Sequence, residues 1–184
     1  FYKFLMETCM WRSMDDTDIY IDHFYTTTLQ RVLNIRGMFS ALANQLIDEG
    51  DIVKAKHVLD KVMEIMPEEN FPYCMGNYSN DIAMTHIVDG YYKIGETDKA
   101  AALAAKLSGL LDTNLMYFYA ISEKMNLETF ASLYVMQSLY HTAVELGNKD
   151  VVQQLERIIK TFGFYELDMK LLFTTNNPHK LGEL

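Results

Sequence analysis

The stretch from residue 11 to residue 25, WRSMDDTDIYIDHFY, holds most of the residue types in this chain that could do chemistry. Oxygen-rich clusters of this kind suit Mg²⁺, Mn²⁺ or Ca²⁺. Asp16 and Asp18 have the Asp-x-Asp spacing in which two carboxylates can share one divalent ion. One hypothesis is therefore a divalent-metal-dependent enzyme or a sugar-binding domain. Its ligands would be Asp16, Asp18 and Asp22.

A structural interpretation explains the same residues better. No glycine stands where a calcium-binding loop needs its sharp turn. A carboxylate such as Asp22, close to the start of the first helix, can accept hydrogen bonds from free N–H groups and meets the positive end of the helix dipole. We therefore predict an entrance segment in which Trp11 packs on the first helical hairpin, while Asp16, Asp18 and Asp22 are splayed rather than converging on one point.

The other reactive residues do not form a recognised motif. The five histidines lack the spacing of a zinc site, and no phosphate-binding loop or dinucleotide-binding glycine motif is present. Cys9 and Cys74 stand alone; we expect buried free thiols, although an oxidising compartment would allow them to pair. The sequence thus predicts no catalytic residue, no metal and no cofactor.

The charge balance excludes two classes of partner. The chain has 16 basic and 25 acidic residues, for a net charge of −9. Binding of nucleic acid or anionic lipid needs clustered basic residues, which are absent. No apolar run approaches the roughly 20 residues that span a bilayer.

Three stretches of the chain share one pattern. In each, an amphipathic helix ends at a glycine, a polar residue follows, and a second amphipathic helix begins. The glycines are Gly50, Gly95 and Gly147. Glycine can take the left-handed conformation that closes a helix, and a polar residue after it can cap the next helix. The pattern predicts three helical hairpins.

Helical periodicity places six helices near 24–49, 52–66, 80–94, 97–122, 127–146 and 149–162. The small and large positions of the first hairpin match the tetratricopeptide pattern. We therefore predict an all-α, tetratricopeptide-like α-α superhelix in residues 24–162. An irregular entrance segment, 1–23, precedes it, and a capping segment and tail, 163–184, follows.

The first hundred or so residues resemble the C-terminal soluble region of a family of multi-spanning inner-membrane proteins in Bacteroidetes. The membrane part of that family resembles protein O-mannosyltransferases of the C-type glycosyltransferase class. Asn34-Ile35-Arg36 is similar to an Asn-Leu-Arg triplet of that family, and YYKIGETDKA at 91–100 is nearly the family phrase. The entrance residues of the resemblance are Trp11, Met14, Asp16, Asp18, Tyr20 and Asp22.

This resemblance implies an accessory, non-catalytic domain on the periplasmic face of the inner membrane. It would be tied to the membrane only through a part of the parent protein outside this chain, and would bind an acceptor polypeptide or a partner subunit. A free-standing cytoplasmic repeat scaffold is the alternative.

The chain is also rich in aromatic side chains and contains 12 tyrosines. Tetratricopeptide arrays bind extended peptides on their concave face, where tyrosine supplies contact area at low entropic cost. The alternative is that the rings fill the space between helices. The candidate groove residues are Tyr73, Tyr78, Tyr92, Tyr117 and Tyr119.

Overall fold

A computed structural model describes residues 1–20, 33–74, 78–121 and 127–161. A short π-helical turn, Phe4–Thr8, lies near the beginning of the chain. Six α-helices follow it within these ranges: α1 (Leu33–Asp48), α2 (Ile52–Ile65), α3 (Tyr78–Lys93), α4 (Thr97–Ile121), α5 (Leu127–Glu145) and α6 (Lys149–Thr161).

The prediction of an all-α chain is confirmed for the described residues, among which there is no β-strand. The six predicted helices are present, and five of them begin and end within two residues of the predicted bounds. The first predicted helix differs, since its residues 24–32 lie outside the described residues. The predicted capping segment, 163–184, also lies outside them.

The three glycine turns have one geometry. Gly50, Gly95 and Gly147 have positive φ angles of 80°, 84° and 66°. In the first turn the Gly50 N–H donates to the Ile47 carbonyl at 2.9 Å and the Asp51 N–H donates to the Leu46 carbonyl at 2.8 Å. The same pair of bonds recurs at the other two glycines. This is the Schellman motif, which satisfies the last carbonyls of a helix.

A polar residue after the glycine starts the next helix, as the pattern predicts. The Asp51 carboxylate accepts from the backbone N–H of Lys54 at 3.2 Å, and the Asn148 side chain accepts from that of Val151 at 3.2 Å. The first and third turns therefore each close one helix and cap the next within two residues, which explains these hairpins.

The hairpins stack in the same orientation. The first helices of the second and third hairpins, α3 and α5, touch at Thr85–Ser138. They touch again seven residues later, where the Tyr92 hydroxyl donates to the Glu145 carbonyl. Both contacts join residues 53 apart in sequence, so the two helices run parallel. The second helices α4 and α6 also run parallel, with contacts at Ser108–Gln154 and Asp112–Arg157. Within each hairpin the first helix packs on the second, and α3 also packs on α1 and on α5.

A continuous core runs through these layers. Ala55 and Ala100, the small residues five positions after the turn glycines, are both fully buried. At Gly90, an added Cβ would lie 3.2 Å from both terminal methyl groups of Leu59, so α3 approaches α2 more closely here than a larger residue allows. The all-helical fold is thus established for these ranges, and the tetratricopeptide-like superhelix stays a prediction.

Residues 1–20 pack against the first hairpin and against the loop that follows it. Leu5 is fully buried, and the Tyr2 hydroxyl bonds the His57 ring at 2.9 Å. The Asn70 side chain donates to the carbonyls of Met14 and Asp16 at 3.1 and 2.9 Å. Within the described ranges, no helix combines the length and apolar character needed to cross a membrane.

Candidate functional site

Trp11 is held on the first hairpin. Its ring lies 5.5 Å from the Phe39 ring, and its indole N–H donates to the Leu5 carbonyl at 2.9 Å. Because the only polar atom of the ring is satisfied, the ring can lie against the core while one side stays partly exposed. This is the position that the structural interpretation of the entrance segment expects.

The aspartates of the entrance segment form a local turn. Oδ1 of Asp16 accepts from the Asp18 N–H at 3.0 Å, and the Asp16 carbonyl accepts from the Ile19 N–H at 3.2 Å. Asp16 and Asp18 are exposed, and Tyr20 is 85% exposed. Asp22 lies outside the described residues. No set of three or more histidine, cysteine, aspartate or glutamate side chains in the described part of the chain is placed to hold a metal ion.

The predicted groove tyrosines lie in different environments. Tyr73 is only 9% exposed, and the Arg36 guanidinium and the Lys106 ammonium both lie over its ring, 5.0 and 5.2 Å from the ring centroid. It therefore offers a partner little surface. Tyr92 is half-buried by its bond to α5, whereas Tyr117 near the end of α4 is 61% exposed. The side chains of Tyr78 and Tyr119 lie outside the described residues.

A buried arginine organises the loop between the first two hairpins. Arg36 is fully buried, and its guanidinium donates to the carbonyls of Met66, Phe71 and Pro72 and to the side chain of Asn80. Burial lowers the pKa of Arg36 to about 10, an effect partly offset by nearby Tyr73, Asp81 and Glu68. The residue remains charged at neutral pH and ties α1 to the loop and to α3.

The network continues on the other side of Asn80. The Asn80 amide donates to the Asp81 carboxylate at 3.0 Å, and the Cys74 thiol donates to the same carboxylate at 3.5 Å. The Asn114 amide on α4 reaches the Cys74 sulfur at 3.3 Å. No disulfide joins Cys9 and Cys74; Cys74 is buried as expected, whereas Cys9 is partly exposed. Sequence reasoning missed this network, although an arginine within the apolar stripe of α1 was a signal for it.

The first helices present one shared surface, which we call the first-helix face. On α3 almost every residue is buried, and the exposed or half-exposed positions recur at Ile82, His86, Asp89 and Lys93. The neighbouring helices add exposed or half-exposed side chains on both sides of α3. These are Ala41, Gln45 and Asp48 on α1, and Ser138, His141 and Glu145 on α5.

Carboxylates on all three first helices interact electrostatically with one lysine on this face. Lys93 makes an ion pair of 2.7 Å with Asp89, four residues earlier on α3. This hydrogen bond, and then the negative charges of Asp89, Asp48 on α1 and Glu145 on α5, raise the pKa of Lys93, although partial burial lowers it. Three carboxylates and one ammonium leave this end of the face negative.

No family model, curated protein or solved structure matches this chain. The function must therefore follow from the residues and their geometry. Among these, the first-helix face is the surface to which all three hairpins contribute.

Ion pairs between the first two hairpins keep that face in register. Lys99 on α4 and Lys56 on α2 contact Asp60 at 2.8 and 3.1 Å, and Lys56 also contacts Glu96 at 2.7 Å. The Tyr91 hydroxyl donates to the same Asp60 carboxylate at 2.9 Å. Burial raises the pKa of Asp60, but the hydrogen bonds from Lys99, Lys56 and Tyr91 outweigh it, so that the pKa is lowered overall.

Proposed function

We propose that this chain is a non-catalytic helical-repeat interaction domain that binds a polypeptide on its first-helix face. The observation that carries the proposal is the side-by-side packing of α1, α3 and α5, of which α3 and α5 run parallel. This packing aligns exposed side chains from three hairpins on one surface.

The dimensions of the face suit an extended peptide. From Ile82 to Lys93 the α3 helix rises about 16 Å at about 1.5 Å per residue. An extended chain covers that distance with about five residues, at about 3.3 Å each. The side chains of α3 that point outward recur every three or four residues, so a bound segment can contact one of them at nearly every second position.

The charges of the face indicate the kind of peptide. Asp48, Asp89 and Glu145 surround Lys93 at one end, whereas His86 and Ser138 near the middle carry no fixed charge. Opposite charges across an interface set the register and speed the encounter of the partners. We therefore infer that the bound segment carries a lysine or arginine at the end that meets the three carboxylates.

We also propose that the domain is accessory to a membrane glycosyltransferase-like protein and works on the periplasmic face of the inner membrane. Support for this comes from the residues of the resemblance, above all Trp11, Asp16, Tyr20 and the triplet at 34–36. The bound polypeptide would then be an acceptor of the transferred sugar or a partner subunit. A free-standing cytoplasmic scaffold would use the same face without a membrane part.

Selection of peptides from a displayed random library tests the interaction function. Ala41 on α1 lies on the first-helix face, and Ala102 on α4 lies in the other layer; both are exposed helical alanines. The variant Ala41→Arg adds a long cation to the face, and Ala102→Arg adds the same group elsewhere. We expect selected peptides to bind Ala41→Arg at least about tenfold more weakly, a loss of about 1.4 kcal/mol, and to bind Ala102→Arg as they bind the unchanged chain.

The two alanine variants should melt at the same temperature as the parent chain, because both positions are exposed. If selection yields no binder, or if the binders respond equally to both variants, the first-helix face is not the binding surface.

A further inference from the structure

A second concave surface lies between the entrance segment and α2. It is a cavity of about 560 Å³, open to solvent, and we call it the entrance cavity. Residues 6–15 form one side of it, and Lys61 and Ile65 of α2 form the other. Binding sites for small ligands lie in the range of about 300–1,000 Å³. The cavity is therefore large enough for one or two side chains.

The inner wall of the cavity is apolar and fixed. Ile65 is buried, and Met6 and Trp11 are half-buried where they pack against the core. The indole N–H of Trp11 already bonds the Leu5 carbonyl, so the ring offers the cavity an apolar surface and no free donor. An apolar or aromatic side chain suits this wall.

Charged side chains line the rim of the entrance cavity, and they differ in whether they already have an ion-pair partner. Lys61 makes an ion pair of 2.9 Å with Glu64. Arg12 and Asp15, by contrast, have no hydrogen-bond or ion-pair partner within the described residues. Ser13 between them has a left-handed backbone with φ of 63°, rare outside glycine, in the turn that brings Arg12 and Asp15 to the cavity.

We propose that the entrance cavity binds a peptide segment in which an apolar side chain lies next to an aspartate or glutamate. The apolar side chain would lie against Trp11, Met6 and Ile65. The acidic side chain would meet the Arg12 guanidinium, whose planar donors match a carboxylate. The Asp15 carboxylate would accept a backbone N–H of the same segment.

The site is independent of the first-helix face. Its lining comes from the entrance segment and a second helix, whereas the first-helix face comes from α1, α3 and α5. The two surfaces also differ in the charge they select, because the free cation Arg12 favours an acidic partner in a chain whose net charge is −9. One surface can therefore fail while the other binds.

Trp11 makes the proposal directly measurable, because it is the only tryptophan in the chain. Its fluorescence reports on this cavity alone. The probe is a random heptapeptide library flanked on both sides by fixed linkers, so that no free terminus takes part. Selected sequences without tryptophan are then synthesised with blocked ends and titrated against the chain.

We expect peptides with an apolar residue next to an aspartate or glutamate to be enriched and to shift the emission of Trp11 to shorter wavelength. Arg12→Gln should weaken their binding about tenfold or more, equivalent to about 1.4 kcal/mol. Arg157→Gln, which changes an exposed arginine on α6, should leave binding unchanged. Raising the salt concentration from about 50 to about 500 mM should also weaken binding, because the contact is charged.

Three results would overturn the proposal: no enrichment of acidic–apolar peptides, no response of Trp11 to the bound peptide, or equal binding by the parent chain and Arg12→Gln. An unchanged affinity after the acidic residue of the peptide is replaced by its amide would also overturn the proposal. The Ala41→Arg variant separates the two sites, because it should not alter peptide binding to the entrance cavity.

Discussion

At the scale of single residues, Arg36 contributes most to holding the first two hairpins together. Its guanidinium donates four hydrogen bonds to three loop carbonyls and one side chain while fully buried. Without Arg36 the Met66 and Phe71 carbonyls would lose the donor that these bonds supply, which is costly in a protein interior. The charge itself is also costly to bury, so the interaction is favourable only as a complete set.

We predict that Arg36→Met lowers the free energy of unfolding by about 3–5 kcal/mol, because it leaves the loop acceptors unpaired. Urea unfolding followed by circular dichroism measures this. Arg157→Met is the matched control: its arginine is 68% exposed and makes one ion pair, so the loss should be under about 1 kcal/mol. Equal losses in the two variants would mean that the loop does not depend on Arg36.

Trp11 and the entrance aspartates should contribute very differently to stability. Trp11→Ala removes a ring that packs on Phe39 and should cost about 2–4 kcal/mol, less than for a fully buried ring. The double change Asp16→Asn with Asp18→Asn keeps the acceptor of the local turn and should cost under about 0.5 kcal/mol. Thermal unfolding of both variants tests the contrast. A large loss in the double variant would instead indicate that the negative charges themselves support the fold.

At the scale of the helices, the glycine turns are the repeated device that forms each hairpin. Left-handed backbone is unfavourable for residues with a Cβ, so alanine at a turn glycine adds strain that alanine within a helix does not. The chain offers both situations. Gly50 and Gly95 have positive φ angles, whereas Gly37 lies within α1 and an added Cβ there meets no atom within 4 Å.

We predict that Gly50→Ala and Gly95→Ala each destabilise the chain by about 1 kcal/mol. Gly37→Ala should stabilise it by about 0.5–1 kcal/mol, because alanine is the better helix former. Chemical denaturation of the three variants under one set of conditions distinguishes the two signs. If all three changes have the same sign, the turns do not need the left-handed conformation.

At the scale of the whole molecule, charges between hairpins make the stacking depend on pH. Asp60 links α2 to α4 through Lys99, and its pKa is lowered in the folded chain. A carboxylate with a lowered folded pKa stabilises the fold above its unfolded pKa, and this stabilisation is lost as the pH falls through the folded pKa. The Asp60 side chain is 38% exposed, so solvent screening keeps the effect small.

We predict that Asp60→Asn lowers the stability at pH 7 by at most about 1 kcal/mol. The difference from the parent chain should shrink as the pH falls from about 4, near the unfolded pKa, through the lowered folded pKa, below which the carboxylate is protonated in both states. Urea midpoints measured from pH 2 to pH 8 test this. Glu69→Gln is the control: this residue is exposed and makes no ion pair within the described part of the chain. A pH-independent difference for Asp60→Asn would show that its neutral hydrogen bonds, not its charge, matter.

The sequence by itself determined the helices and the turns, because both depend on neighbours within a few residues. An apolar stripe repeats every three or four positions along a helix whatever packs against it. A glycine followed by a capping residue closes one helix and starts the next through bonds that span only five residues, as at Leu46 and Asp51. The six helices and the three left-handed glycines could therefore be predicted without any tertiary contact.

Only the tertiary structure decided where the remaining candidate residues lie. Arg36 finds its acceptors 30 to 44 residues further along the chain, and the Tyr73 ring contacts two cations from different helices. The entrance cavity likewise joins residues near position 12 to others near position 61. Local periodicity carries no information about such distant pairs, because they depend on how the loops direct one hairpin onto the next. The two proposed binding surfaces arise from those contacts.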